Sequence, residues 1–118
     1  MTRIINSIIL PAILTLIMEL PIVLLGFRKV KCDIQYKIII FTLINLITNL
    51  ALNSISLVIR IPLTVLIVEE LLIVLIEAFT YKKAFITEFK KSLLISFLAN
   101  VFSGLAGTAI LRITILLI

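Results

Sequence analysis

The stretch IIIFTLINLITNLALNSISLVIRIPLTVLIVEELLIVLIEAF, residues 38–79, decides the fold of this chain. It contains two apolar runs, residues 38–59 and 63–79, and a membrane-spanning helix needs about 20 mainly apolar residues. Only the segment RIP separates the two runs, and Pro62 suits the first turn of a helix, where its missing N–H does no harm. We therefore predict that the two runs form a tight antiparallel hairpin of membrane helices.

Two further apolar runs flank this hairpin, at residues 4–27 and 92–118, beyond the basic segments RKVKCDIQYK and YKKAFITEFKK. The 118 residues are 63% hydrophobic and 14% charged, whereas about a quarter of the residues of a soluble domain are charged. The first run is too long for a cleavable signal peptide, and no small-residue cleavage site follows it. The predicted fold class is therefore all-α, in a multi-pass protein of the cell membrane.

In detail, we expect a single transmembrane domain over residues 1–118, folded as an antiparallel up-down bundle of four transmembrane helices with short loops. The predicted helices cover about residues 4–27, 38–59, 63–80 and 92–117. Most of the 11 basic residues fall in the first and third breaks, and positively charged loops stay in the cytoplasm. The N and C termini are therefore expected on the same, external side. This asymmetry accounts for the net charge of +5 without a nucleic-acid partner. Four aromatic residues are expected at the cytoplasmic interface: Tyr36, Tyr81, Phe85 and Phe89.

Polar side chains inside the spans are the candidate site. At about 1.5 Å per helical residue, Glu77 lies roughly 6 Å from the cytoplasmic boundary, where its carboxylate could extend to water. Glu70 lies at roughly 17 Å, about the middle of the bilayer. All four helices are predicted to contribute a carboxylate or an amide to one central layer. The candidates for binding an ion or proton, or for forming a polar core, are Glu19, Asn45, Asn49, Glu69, Glu70, Glu77 and Asn100.

Two polar stripes follow helical spacing. Glu70 and Glu77 share a face of the third helix, whereas Glu69 is turned about 100° away. For Asn53 and the serines of the stripes we expect ordinary helix packing, in which small and polar residues let backbones approach. The stripes consist of Thr42, Asn45, Asn49, Asn53 and Ser56 on the second helix, and of Ser92, Ser96, Asn100, Ser103 and Gly107 on the fourth.

The glutamates need neutralisation, because an acid at the centre of a membrane helix costs about 2.5 to 3.5 kcal/mol. The spans contain no central Lys, Arg or His, and Arg60 and Arg112 lie roughly 12 to 15 Å from the level of Glu70. The acids are therefore expected to be protonated, bound to an external cation, or paired with another subunit. Carboxylate and amide oxygens suit hard cations such as sodium, magnesium, calcium and manganese.

Other residues limit the chemistry. A single cysteine, Cys32, and the absence of histidine exclude a zinc, copper or haem site of the usual kind, and we predict no cofactor and no catalytic residue. Pro21 frees the carbonyl of Ile17 beside Glu19, which indicates either a plain kink or the discontinuous helix of an ion site.

The segment VEELLIVLIEA, residues 68–78, is similar to a segment of the bacterial diacylglycerol kinases, small membrane lipid kinases with several spanning helices. In that family two glutamates seven apart, with an asparagine between them, help form the catalytic site. Glu70 and Glu77 would match the two acids, but Ile73 stands in the place of the asparagine. Because the similarity covers under a tenth of the chain, we carry over no activity from it.

Three functional hypotheses follow. The first is a transporter or channel for a cation or proton, or a cation-coupled solute carrier, working as a homodimer because four helices enclose little space. The second is an accessory or assembly subunit whose acids meet the Lys or Arg of a larger membrane partner. The third is an enzyme acting on a lipid head group with Glu77 and the Lys82/Lys83 pair. We favour the first hypothesis, in which the protein is not an enzyme.

Overall fold

The computed structural model describes Thr2, residues 9–58 and residues 62–117, and it leaves some helical side chains undescribed, Arg112 among them. Within this part of the chain all regular structure is helical, with four helices and no strand. We number them α1 (Leu10–Gly26), α2 (Ile34–Val58), α3 (Leu63–Phe85) and α4 (Phe89–Leu117). The prediction of an all-α fold with four helices is confirmed for the described residues.

The helices extend further into the polar breaks than we predicted. Helix α2 begins at Ile34 rather than at residue 38, α3 continues to Phe85 rather than to residue 80, and α4 begins at Phe89 rather than at residue 92. Lysine, glutamine and tyrosine in these segments do not stop a helix, and lysine and glutamine favour one. Helix α1 continues through Pro21 without interruption, so the alternative of a discontinuous first helix is wrong.

The helices form a bundle in which α1 packs against α2 and α4, and α3 packs against the same two helices. The contacts between α1 and α4 show that the two helices run in opposite directions. Glu19 of α1 contacts Ser103 of α4, whereas Gly26, further along α1, lies against Ile95, earlier in α4. Neighbouring helices are therefore antiparallel, and the connections 27–33 and 86–88 lie at the same end of the bundle.

An aromatic core fills that end. The ring of Phe27 meets Tyr81 edge-on at 5.3 Å and Phe85 at 4.9 Å, while Tyr81 and Phe85 stack at 5.6 Å. We predicted Tyr81 and Phe85 at the membrane interface, but both are buried. Because α3 continues to Phe85, both rings pack inside the bundle, and their depth relative to the membrane interface stays a prediction.

Lys37 also differs from the prediction, which placed it in the basic loop between the first two spans. It lies in the first turns of α2 and is buried, and its Nζ donates a 2.9 Å hydrogen bond to the carbonyl oxygen of Phe27. The carbonyls that follow the last turn of a helix lack helical partners, and a cation there also interacts favourably with the helix dipole. Lys37 thus ties the start of α2 to the end of α1.

The exterior of the bundle is apolar. Leu25, Ile47 and Leu105 are 64%, 65% and 71% exposed, and many other large apolar side chains are exposed beside them. In the described part of the chain two helices are long and apolar enough to cross a membrane, over Ile34–Ala51 of α2 and Phe89–Ala106 of α4. Only 22% of each of these segments is buried, which differs from the core helix of a soluble protein.

Candidate functional site

Glu77 on α3 is the best-satisfied acid of the interior. Its side chain is 1% exposed, and three donors from two other helices reach its carboxyl group. Thr48 of α2 donates to Oε1 at 3.3 Å, and from α4 Ser96 and Asn100 donate to Oε2 at 3.1 and 2.8 Å. Three neutral donors therefore reach this carboxyl, and none of its partners in the described part of the chain is basic.

The carboxylate of Glu77 does not extend to water. We expected that it could do so, but the side chain turns inward and is buried. Because α3 continues to Phe85, Glu77 lies more than two helical turns before the end of its helix. Lys82 and Lys83, in the last turn of α3, are exposed, so the interior carboxyl and the basic pair lie in different surroundings.

Glu19 on α1 is equally buried but far less satisfied. It is 0% exposed, and its Oε1 accepts a 2.8 Å hydrogen bond from the Ser103 hydroxyl of α4. Its second oxygen, Oε2, is buried and has no hydrogen-bond partner among the described residues. A buried acceptor without a donor costs about 1–3 kcal/mol, so this oxygen is the natural point for a ligand, proton or ion.

A chain of polar contacts connects the two acids. The hydroxyl of Ser103, which contacts Glu19, also lies 3.0 Å from the carbonyl oxygen of Asn100. The side chain of Asn100 in turn donates to Glu77. Glu19, Ser103, Asn100 and Glu77 therefore form one connected set that crosses the interior from α1 through α4 to α3.

The amides of α2 lie beside this set. Asn45 is buried and donates to the carbonyl oxygen of Phe41 at 3.0 Å and to the Tyr81 hydroxyl oxygen at 3.1 Å, whereas its Oδ1 has no partner among the described residues. Asn49 donates to the carbonyl oxygen of Asn45 at 2.9 Å. Asn45 therefore connects the polar interior to the aromatic core.

A cavity of about 510 Å³ lies beside the acids, between α3 and α4. All four helices contribute polar residues to it: Thr15 and Glu19 from α1, Asn49 from α2, Glu70 from α3, and Asn100 and Ser103 from α4. Its remaining wall is mostly apolar, and exposed side chains such as Leu71, Phe97 and Leu105 belong to it. The cavity therefore opens on the apolar side of the bundle and has a polar floor.

The adjacent acids Glu69 and Glu70 differ in position. Glu70 lines the cavity and is exposed, while Glu69 is half-buried, and its Oε2 has no hydrogen-bond partner among the described residues. The two side chains thus have different surroundings, as expected from their 100° separation on a helix. Arg60 and the side chain of Arg112, which we considered as their partners, lie outside the described residues, as does the side chain of Asn53.

Sequence reasoning missed four contributors to this interior. Ser96 and Ser103 were assigned to ordinary helix packing, Thr48 was not singled out, and Tyr81 was placed at the interface. A signal existed for two of them, because Thr48 is three residues from Asn45 and Tyr81 four from Glu77, which puts each on its neighbour's face. For the serines, spacing marks the helix face but not the hydrogen-bond partner.

The described residues contain no group of three or more His, Cys, Asp or Glu side chains that could hold a metal ion. The donors gathered in the interior are instead carboxyl, amide and hydroxyl groups from four helices. No protein-family model, curated protein or solved structure matches this chain.

Proposed function

We propose that this chain is a four-span membrane protein that moves a proton or small cation, alone or coupled to a solute, by means of Glu19 and Glu77. The apolar exterior and the polar interior support the membrane setting, because such a surface would be poorly soluble in water. The bundle is 44 Å long, which fits a bilayer of about 40–45 Å including its head groups.

The basic residues support an orientation. Arg28, Lys29, Lys82 and Lys83 are exposed at the end of the bundle that carries the connections 27–33 and 86–88. Positively charged loops are retained in the cytoplasm, so this end would be cytoplasmic and the opposite end external. The aromatic core would then lie near the cytoplasmic boundary, with the cavity nearer the middle of the membrane.

The connected set of Glu19, Ser103, Asn100 and Glu77 is the observation that carries the transport proposal. Acids within membrane spans are costly, and they commonly mark ion pathways and proton relays. The donors that hold these two acids are hydroxyl and amide groups, so neither acid's charge is offset by them. A proton or a cation is therefore the simplest species to neutralise them.

The two acids have different tasks in this proposal. Glu77 accepts from three donors and is held in one geometry by α2 and α4. Glu19 lines the cavity and has one donor, and its other oxygen has no partner among the described residues, so it can exchange a bound proton or cation without breaking several hydrogen bonds. Glu19 would be the exchanging group and Glu77 the fixed one.

The test is a flux assay in proteoliposomes, with separate gradients of protons, sodium, magnesium and calcium. Wild type is expected to dissipate at least one gradient, and Glu19→Gln and Glu77→Gln should each reduce that flux at least tenfold. Glu88→Gln, an exposed acid before α4, is the matched control and should retain wild-type flux. Equal flux in wild type and Glu19→Gln would contradict the proposal, provided that circular dichroism shows both proteins folded.

A second function is favoured by one observation, the position of Glu70. This acid is exposed on a surface where Val68, Leu71 and Leu72 are also exposed. A cationic side chain of a second copy or of a larger membrane protein would neutralise it, as in an accessory subunit. In this case Glu70→Gln should abolish the homodimer, or co-purification of the partner, in mild detergent. Retention of the complex by Glu70→Gln would exclude this role for the residue.

A further inference from the structure

The cavity between α3 and α4 is too large for a single small ion. A volume of about 510 Å³ falls in the range of roughly 300–1,000 Å³ that is typical of sites for small organic molecules. A lone hard cation needs six or so oxygen ligands at short range, and much of the wall here is apolar. The shape and lining therefore fit an organic molecule better than a metal ion.

The polar groups of the cavity indicate the charge of the molecule that it would bind. Glu19 and Glu70 both line it, and no lysine or arginine is among the described residues that do. Glu19 is fully buried, and its Oε2 lacks a hydrogen-bond partner among those residues. This oxygen needs a donor, and an ammonium N–H supplies both a donor and a compensating charge.

The apolar wall indicates that the part of the molecule other than its charged group is apolar. Ile67, Leu71, Phe97, Val101 and Leu105 all line the cavity and are exposed on the side of the bundle. An apolar group entering from the hydrocarbon would contact these side chains, and the ring of Phe97 could also face a cation. Phospholipids with an ammonium head group fit less well, since no described basic side chain is present to receive their phosphate.

We infer that this cavity binds a lipophilic amine, with its ammonium group on Glu19 Oε2 and its apolar group between α3 and α4. The inference deepens the proposed function, on which it rests, because it names the solute of the same carboxyl site. A cation exchanging at Glu19 and an ammonium binding there would compete, which is how a coupled carrier exchanges one for the other.

Gly104 allows the cavity to be filled without changing a charge. It lines the cavity, and a Cβ added at this position would meet no atom within 4 Å. Gly104→Leu should therefore occupy the space of the amine's apolar group while α4 stays intact, because leucine favours a helix more than glycine does. Ala51→Leu, on the exposed face of α2, adds a leucine away from the cavity and is the matched control.

The experiment is an equilibrium fluorescence titration of the purified protein in phosphatidylcholine nanodiscs, with no gradient. The probe is dansylcadaverine, an aromatic molecule with a primary ammonium, compared with its uncharged N-acetyl derivative. We expect saturable binding that favours the amine by roughly tenfold or more, the range of a charge-assisted hydrogen bond. Glu19→Gln should reduce amine binding to the level of the acetyl derivative, Gly104→Leu should weaken both probes, and Ala51→Leu should change neither.

Several outcomes would overturn the inference: no saturable binding, equal affinity for the two probes, or unchanged amine affinity in Glu19→Gln. Displacement of the amine by phosphatidylethanolamine in the nanodisc would assign the cavity to a lipid head group instead. If Glu19→Gln does not fold, the preference of wild type for the amine and the effect of Gly104→Leu still test whether the cavity binds the amine. Ion flux without amine binding would contradict this inference but not the transport proposal. Amine binding without ion flux would contradict the transport proposal but not the binding of an amine.

Discussion

Ser103 on α4 donates a 2.8 Å hydrogen bond to Glu19 on α1, although 84 positions separate the two residues in the chain. This contact joins the first and last helices within the polar interior. It also leaves only one oxygen of Glu19 without a donor from the described residues. The packing of the first helix against the last and the hydrogen bonding of Glu19 therefore depend on the same hydroxyl.

Ser103→Ala should destabilise the protein by about 1–3 kcal/mol, because it leaves Oε1 of Glu19 without its donor as well. In a Glu19→Leu background the same change should cost much less. A double-mutant cycle measured by chemical unfolding in detergent micelles gives the coupling. Ser54→Ala, at an exposed position of α2, is the control. Equal costs in both backgrounds would show that the hydrogen bond contributes nothing.

The three donors to Glu77 should contribute unequally. Asn100 has two N–H groups, one for Glu77 at 2.8 Å and one for the carbonyl of Ser96 at 2.8 Å. The Ser96 hydroxyl has one proton for two acceptors, the carbonyl of Val74 and Glu77, both at 3.1 Å. The Thr48 hydroxyl has one proton for three, with Glu77 the most distant at 3.3 Å.

We therefore expect Asn100→Ala to lower the free energy of unfolding most, by about 1–3 kcal/mol, with Ser96→Ala intermediate and Thr48→Val smallest. Thermal unfolding followed by circular dichroism in one detergent ranks the three variants. A cost for Thr48→Val as large as that for Asn100→Ala would contradict this order.

Gly26 and Gly104 should respond in opposite directions to alanine. A Cβ at Gly26 would lie 2.7 Å from Cδ1 and 3.0 Å from Cγ2 of the buried Ile95. Gly26→Ala should therefore cost about 1–3 kcal/mol by overpacking, and Ile95→Ala should remove that cost in the double variant. Gly104→Ala has open space and should be neutral or stabilising by up to about 1 kcal/mol. Chemical unfolding compares them, and a stable Gly26→Ala variant would refute the close contact.

Replacing Ile86 should stabilise the protein. Ile86 follows α3 with φ 51° and ψ 56°, the left-handed conformation that β-branched residues rarely adopt. Its side chain is 91% exposed, so little packing is lost on its removal. Ile86→Gly should raise the free energy of unfolding by about 1 kcal/mol. Ile39→Gly, at an exposed position inside α2, should lower it and serves as the control. A destabilised Ile86→Gly variant would show that this strain is absent.

The fold class could be predicted from the sequence, because apolar runs long enough to span a membrane are compatible with few structures other than helices. The four runs and their polar breaks predicted four helices, and Pro62 marked the start of α3. The ends of the helices were less accessible. Segments such as YKKAF are polar enough to resemble loops but contain residues that tolerate a helix, so α3 continues to Phe85. With this longer helix Glu77, whose carboxylate we expected to reach water, is buried instead.

The composition of the site was also partly predictable. Four of the predicted residues, Glu19, Asn49, Glu70 and Asn100, line one cavity, and Glu77 is bonded to Asn100. Helical periodicity places residues on a face, so it could group polar residues along each helix. It could not state which donor on one helix meets which acid on another, since that depends on the rotation and axial offset of packed helices.

By itself, the sequence determined four helices and the polar stripes along the second and fourth of them, because these follow from local composition and the 3.6-residue helical period. The tertiary structure alone decided that Glu77 receives three donors, while Glu19, which lines a cavity, keeps one oxygen without a partner among the described residues. The physical reason is that hydrogen bonds act over about 3 Å, whereas a helix-level prediction places side chains only to within several ångströms.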